Sequence, residues 1–279
     1  MQLTFRTLDD RNDPTFNQLL AINNQGTIAG YFGQNVNKGY TLIPSAQPVF
    51  TDENFNGSAQ TQVTGINDHG TTVGFWADAN GDNFGFVDVK GEMITALDPK
   101  LPQSALGTPA VEQFLGVNDH NQVAGFYTDA KGVNHGFVYD ISDNSFTAVK
   151  VSGFTNVTAS DINNSGVISG FGTYGGKTEG FVDDHGKVTV LTGPQGATSV
   201  MALGLNDKHE VVGSFTDASG THGFLYEEKT HTYVTIDQGG QNNTTINGIN
   251  DNGQLVGFFL DANQHTDGLL VQVQGHHGS

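Results

Sequence analysis

Short runs of apolar and small β-forming residues, some closing on aromatics, fill the chain, and turn-forming Asn, Asp and Gly separate them. Gln62-Val63-Thr64-Gly65-Ile66 and Thr72-Val73-Gly74-Phe75-Trp76 are two such runs. Their β-forming and aromatic residues, bounded by turn residues, predict β-strands. Between them stands one recurring phrase, clearest as Gly65-Ile66-Asn67-Asp68-His69-Gly70. Related copies are Ala21-Ile22-Asn23-Asn24-Gln25-Gly26, Gly116-Val117-Asn118-Asp119, Asp161-Ile162-Asn163-Asn164-Ser165-Gly166, Gly204-Leu205-Asn206-Asp207 and Gly248-Ile249-Asn250-Asp251-Asn252-Gly253.

Aligned on the phrase Asn, the copies are spaced by 44, 51, 45, 43 and 44 residues. A period of about 45 residues is that of a four-stranded propeller blade. Every unit reads alike. An apolar strand enters the phrase, and the Asn-Asp-x-Gly turn reverses it, because Gly and Asn accept positive φ at little cost. A second strand closes on aromatics, as in Val123-Ala124-Gly125-Phe126-Tyr127. An Asp-Ala-x-Gly loop follows, then a third strand opening on Gly-aromatic (Gly85-Phe86, Gly136-Phe137), then a fourth such as Met93-Ile94-Thr95-Ala96-Leu97.

The sixth unit lacks a fourth strand, whereas Leu3-Thr4-Phe5-Arg6-Thr7-Leu8-Asp9 precedes the first phrase and resembles the fourth-strand segments. Pairing residues 2–9 with the last blade would close the ring and remove two exposed edges. The fold predicted is all-β: a six-bladed β-propeller over 1–279 as one domain, with 275–279 as a frayed tail.

Composition agrees. Gly, Asn, Asp, Thr, Val and Phe are the vocabulary of short strands and tight turns. The 19 Phe and 7 Tyr at regular spacing argue against disorder. Eleven Lys plus Arg against 29 Asp plus Glu give a net charge of −18, which provides no basic footprint for nucleic acid or an anionic membrane. The lack of Cys excludes disulfides and thiolate metal sites. No stretch resembles a membrane-inserting helix or a signal peptide's apolar region. Sequons at Asn56, Asn156, Asn163, Asn242 and Asn243 permit a secreted or extracytoplasmic location, which is the expectation.

In a propeller the first strand of each blade lines the axis. The loops joining second to third strands, and fourth strands to the next blade, share one face. The longest of these runs from Pro99 to Val111 and accounts for the 51-residue spacing. Variable loops on a repeated scaffold carry specificity, so the axial mouth on that face is the expected site. Two rings of equivalent positions would lie near it. Five residues before each phrase Asn stand Gln18, Gln62, Gln113, Thr158, Met201 and Thr245. Nine residues after it stand Phe32, Trp76, Tyr127, Gly172, Phe215 and Phe259. Their variation around the ring points to a ligand, while packing between blades is the structural alternative for the aromatics.

Other chemistry is thin. Asp78-Ala79-Asn80-Gly81-Asp82 has a calcium-loop look but lacks the twelve-residue pattern and its terminal Glu, so a turn-forming Asp is expected. His135 and His222 precede third-strand glycines with no second His at ligand spacing, so no metal is expected. No nucleophile elbow, phosphate loop or dinucleotide fingerprint occurs, and no cofactor is expected. Asp161, replacing Gly in the fourth phrase, is the one carboxylate placed unusually near the axis.

The repeated pattern Gly-Ile-Asn-Asp-x-Gly-x-x-Val-Gly-Phe, followed by Asp-Ala-x-Gly-x-x-His-Gly-Phe, resembles the HAF-type extracellular repeat, best at 116–137 and 204–224. Fungal propellers of similar build include hetero-Diels–Alderases, a resemblance of fold to which no catalytic residue here corresponds. It implies a small apolar or aromatic ligand, of terpenoid type, and a cofactor-independent cyclase in which Trp76, Tyr127, Phe259, Gln62 and Gln113 would orient the partners. The alternative is a non-enzymatic secreted module that binds glycan or protein.

Overall fold

The computed structural model describes residues 2–240 and 243–274, so the tail at 275–279 and the sequon at Asn242 lie outside the described residues. Six first strands surround the axis: Asn17–Ile22, Gln60–Ile66, Leu106–Val117, Thr155–Ile162, Ser199–Leu205 and Thr244–Ile249. Each pairs antiparallel with the strand after the phrase, and two further strands complete each blade. The last blade takes its outer strand from the other end of the chain. Gln2–Thr7 pairs antiparallel with Thr266–Gln274, from Gln2↔Gln274 to Thr7↔Leu269. The expected six-bladed, N-terminally closed propeller is what the chain forms. Helical structure among the described residues is confined to two 3₁₀ turns, Gln103–Ala105 and Gln238–Gly240.

Apolar side chains fill the seams between blades. Leu8, Leu19, Tyr40, Leu42, Val256 and Leu270 join the first blade to the last. Val212, Leu225, Ile246, Leu255 and Leu269 join the fifth to the sixth. The third-strand aromatics Tyr40, Phe86, Phe137, Phe181 and Phe224 are all buried. The insert behind the 51-residue spacing lengthens the third blade's first strand to 12 residues and ties it back to the second blade, where Ala110 N donates to Asp82 Oδ1 at 2.7 Å.

The phrase does two jobs. Within a blade, Asn67 Oδ1 accepts from His69 N and Thr71 N, at 3.0 and 2.9 Å. The turn then needs a left-handed residue three positions after the Asn. Gly70 fills it with φ 77°, and Asn121 and His209 do so in their blades at 62°. Between blades, each phrase Asn donates from Nδ2 to the backbone carbonyl of the next phrase Asn. The chain of bonds runs Asn23, Asn67, Asn118, Asn163, Asn206, Asn250 and back to Asn23, at 2.9–3.2 Å. Asn163 is therefore buried in this ring, which removes it as a glycan acceptor in the folded protein.

Every first strand also carries a one-residue bulge three positions before the phrase Asn, where register slips between Leu19 and Ala21, Val63 and Gly65, Phe114 and Gly116, Ala159 and Asp161, Ala202 and Gly204, and Ile246 and Gly248. A bulge bends its strand and re-aims the side chains near it. Here all six bulge residues line the axial cavity.

The ring of amides gives a direct test. Asn67→Asp keeps both acceptor bonds of the turn but sets a carboxylate oxygen against the Asn118 carbonyl, now 3.0 Å from Nδ2. The expected cost is roughly 3 kcal/mol, seen as a fall in Tm of about 6–12 °C. An unchanged melting curve would show that the ring does not hold the blades.

Candidate functional site

A cavity of about 410 Å³ lies on the axis, lined by all six first strands. Its waist is made by the bulge residues Leu20, Thr64, Leu115, Ser160, Leu203 and Asn247. One end is the phrase face. Toward the other end the lining residues come from the third and fourth blades: Gln113, Phe126, Asn134, Thr158 and Phe171. The axial location matches the sequence reading, but most of the wall comes from the phrase and its bulge.

At the phrase face a second hydrogen-bonded ring surrounds the mouth. The backbone N–H of each residue after the phrase Asn donates to the side chain of its counterpart in the next blade, through Asn24, Asp68, Asp119, Asn164, Asp207 and Asp251, at 2.7–2.9 Å. Four of the six are carboxylates. Asn24 Nδ2 bridges Asp68 and Asp251, and Asn164 Nδ2 bridges Asp119 and Asp207, all at 2.8–2.9 Å. The two amides stand on opposite sides of the ring, and each ties a pair of acids that would otherwise repel.

Inside the mouth, Asp161 breaks the pattern. Gly65, Gly116, Gly204 and Gly248 hold the corresponding position in four blades, and Ala21 in a fifth. Its carboxylate folds against the third blade, where a side chain on Gly116 would collide with it: an added Cβ would lie 2.1 Å from Asp161 Oδ1. Oδ1 accepts from Ile162 N at 2.9 Å and Oδ2 from Leu205 N at 3.1 Å. Burial pushes its pKa up to about 7; the two backbone donors oppose this and Asp207 adds to it. Beside it the Ser160 hydroxyl is buried without a hydrogen-bond partner, whereas Thr64 and Asn247 at equivalent positions donate to the Phe114 and Leu19 carbonyls. Asp161 drew notice in the sequence as a substituted phrase residue. Ser160 did not, because only the bulge reveals that its position faces the axis.

The two rings expected from counting fare differently. Gln113 and Thr158 line the cavity; Gln18, Gln62, Met201 and Thr245 occupy the same level of their blades without lining it. Three of the polar members, Gln62, Gln113 and Thr158, serve blade docking. Gln62 Nε2 donates to Asn37 at 2.7 Å, Gln113 Nε2 to Asn83 at 2.8 Å, and Asn134 Nδ2 to Thr158 at 3.1 Å, each bond crossing to a neighbouring blade.

The aromatics nine after the phrase Asn require a correction of place. The bulge sets the residues five before opposite those eight after: Gln113 pairs with Phe126, and Thr158 with Phe171. Position nine therefore points to the other face of the blade. Trp76 lies between Phe55 and Phe84, with ring centroids 4.6 and 4.7 Å away. Phe32 stacks on Tyr40, Tyr127 on His135 and Phe215 on His222, while Phe259 joins the core between the last two blades. Gly172 backs against Phe154. None of these residues lines the axial cavity.

Two further features lie outside the axial cavity. Asp78 Oδ1 accepts from Asn80 N and Asp82 N, at 2.8 and 3.0 Å, as a turn-forming Asp does. In the fifth blade, Ser219 Oγ lies 2.9 Å from His222 Nε2, and His222 Nδ1 lies 2.9 Å from Asp237 Oδ2, which has the outline of an acyl-transfer triad. Ser219, however, also donates to Asp217 at 2.6 Å. Burial lowers the His222 pKa, but hydrogen bonds to Asp237 and Asp217 outweigh it and raise the net value. A ring held between two carboxylates, beside a serine already committed to Asp217, clamps a loop instead of activating a nucleophile.

Comparison with models of known protein families, and with curated protein sequences, finds no match. Solved structures do resemble the chain. Putative TolB from Agrobacterium tumefaciens is 12% identical with a TM-score of 0.65, covering 93% of this chain and 90% of its own. The Aleuria aurantia lectin, described as a six-bladed β-propeller with a novel fucose recognition mode, is 12% identical with a TM-score of 0.58, covering 94% and 95%. A streptogramin B lyase is 12% identical with a TM-score of 0.51, covering 98% and 88%. At such identities the likeness is one of fold.

The Asp161 carboxyl generates a pH prediction. Unfolded it ionises near 3.8, and folded near 7. Between these values the folded protein keeps a proton that the unfolded chain has lost, so this residue's contribution to stability falls as pH rises and levels off above the window. The Tm difference, Asp161→Asn minus parent, should increase by about 8–16 °C from pH 4 to pH 8. A difference independent of pH would mean that Asp161 titrates normally. Any fixed cost of replacing a carboxylate oxygen by an amide shifts the curve without changing its slope.

Proposed function

We propose that the protein is a ligand-binding propeller whose axial cavity holds one small, largely apolar molecule. The observation that carries this reading is where the six blades differ. The Asn ring is identical in all six blades, whereas the waist it supports reads Leu20, Thr64, Leu115, Ser160, Leu203 and Asn247. A wall required only to close a ring has no reason to vary so widely while its frame stays fixed. The volume also suits a small ligand, since pockets for such molecules begin at about 300 Å³.

A cofactor-independent cyclase acting on a terpenoid-type substrate is the finer version of this proposal. In it the leucines would orient the partners, and protonated Asp161 would polarise a carbonyl. Its aromatic contribution is reduced to Phe126 and Phe171, which makes simple binding the better supported of the two. A glycan- or protein-binding module, secreted as the HAF-like phrase implies, would use outer surfaces instead. The groove where Tyr127 stacks on His135, beside Lys150 and Phe154, is the candidate there.

A fragment library screened by ligand-observed NMR separates these readings. Fragments that bind the parent should lose at least about tenfold in affinity in Leu20→Phe or Leu203→Phe, each of which fills the waist. They should be unaffected by Tyr127→Ala. The reverse dependence would move the site to the outer groove.

A further inference from the structure

Resting on the reading of the axial cavity as a ligand site, we propose that its ligand is a small organic cation: an ammonium group seated on Asp161 and carried by a compact apolar body. Four features of the cavity converge on this class.

The first is the unmet capacity of Asp161. A carboxylate offers about four lone-pair positions, and the described contacts of Asp161 are two backbone donors, Ile162 N and Leu205 N. Among the described residues no Lys, Arg or His lines the cavity, so the described wall supplies no counter-charge. The charged neighbour that bears on Asp161 is another acid, Asp207 of the fifth blade. On the third blade's side it meets the backbone of Gly116. The acid is also not needed for the turn, because the other five blades make the same bulge and phrase with Gly or Ala in its place.

The second feature is the Ser160 hydroxyl, adjacent in sequence, buried and without a partner. An ammonium donates three hydrogen bonds, and a carboxylate with a neighbouring hydroxyl is a fitting acceptor pair. The third is the rest of the wall. Leu20, Leu115, Leu203, Phe126 and Phe171 offer apolar surface to whatever bears the charge. The fourth is the mouth. A ligand entering on the phrase face passes Asp68, Asp119, Asp207 and Asp251, with two neutral amides between them and the His69 imidazole 3.8 Å from Asp119 on the exposed rim. That field attracts cations and repels anions, and the net charge of −18 extends it.

A neutral ligand of the same shape would leave Asp161 buried and unpaired, which costs free energy at neutral pH. An anion would meet five acids. The chemistry thus ranks a cation above its neutral isostere, and the isostere above the anion.

Benzylammonium, benzyl alcohol and benzoate test this ranking, since they share a body and differ in charge. Isothermal titration at pH 8 should show benzylammonium binding the parent at least about tenfold more tightly than benzyl alcohol, and benzoate not binding. Asp161→Asn should remove that preference while leaving benzyl alcohol affinity within about twofold. Benzylammonium stays cationic from pH 8 to pH 5, so its affinity for the parent should fall over that range as Asp161 gains its proton. Equal affinity for benzylammonium and benzyl alcohol, with both blocked by Leu203→Phe, would overturn the cation proposal and keep the cavity as a ligand site. Benzylammonium binding that survives both Asp161→Asn and Leu203→Phe would place it on the acidic mouth and overturn the proposal likewise. If none of the three probes binds the parent, the cation proposal and the axial-site reading fall together.

Discussion

One side chain, repeated six times, holds this molecule in register. Each phrase Asn spends its carbonyl on its own turn and its amide on the next blade, so the ring closes only when every turn is formed. The groups involved are buried, and a buried amide or carbonyl left unpaired costs far more than the net value of one bond. Asn suits this place because it presents an acceptor and a donor from one short planar group. Asp would supply only acceptors, and Gln would reach too far to make the same turn. The residues that follow reinforce the ring with a second one, in which four acids are tolerated because backbone N–H groups and two amides share their charge.

Much of the fold was legible because a repeat converts weak local signals into a strong collective one. A single Asn-Asp-x-Gly turn says little, but six at a near-constant spacing name the architecture. The surplus strand at one end and the missing strand at the other name the closure. The site was less legible, for a specific reason. Counting positions from the phrase assumes an even hairpin, and every first strand here carries a bulge. One extra residue exchanges the two faces of the blade, which moved Trp76, Tyr127 and Phe259 from the expected axis into the seams and brought Phe126 and Phe171 to the cavity. A bulge has no sequence mark of its own at these positions, since Leu20, Thr64, Leu115, Ser160, Leu203 and Asn247 share no property. Asp161 was visible only as a break in the phrase, and its environment needed the fold.

The physical character of the cavity follows from the same geometry. Backbone closure makes the waist narrow and rigid, and the bulge residues decide its lining without disturbing the ring beneath. Such a frame can change its ligand by changing six side chains. In this chain those side chains are half apolar, and the ionisable group that follows one of them, Asp161 after Ser160, lacks a partner of opposite charge among the described contacts. Burial then holds its proton to near pH 7, the state expected of a carboxyl group that waits for a cation to complete it.

The most direct measurement is the ¹³C-carboxyl titration of Asp161 by NMR, with and without benzylammonium. Without it the resonance should titrate near pH 7; with saturating benzylammonium the midpoint should move down toward the ordinary carboxylate range. A midpoint near 4 in the free protein, or one near 7 that the amine leaves in place, would contradict the role assigned to this residue.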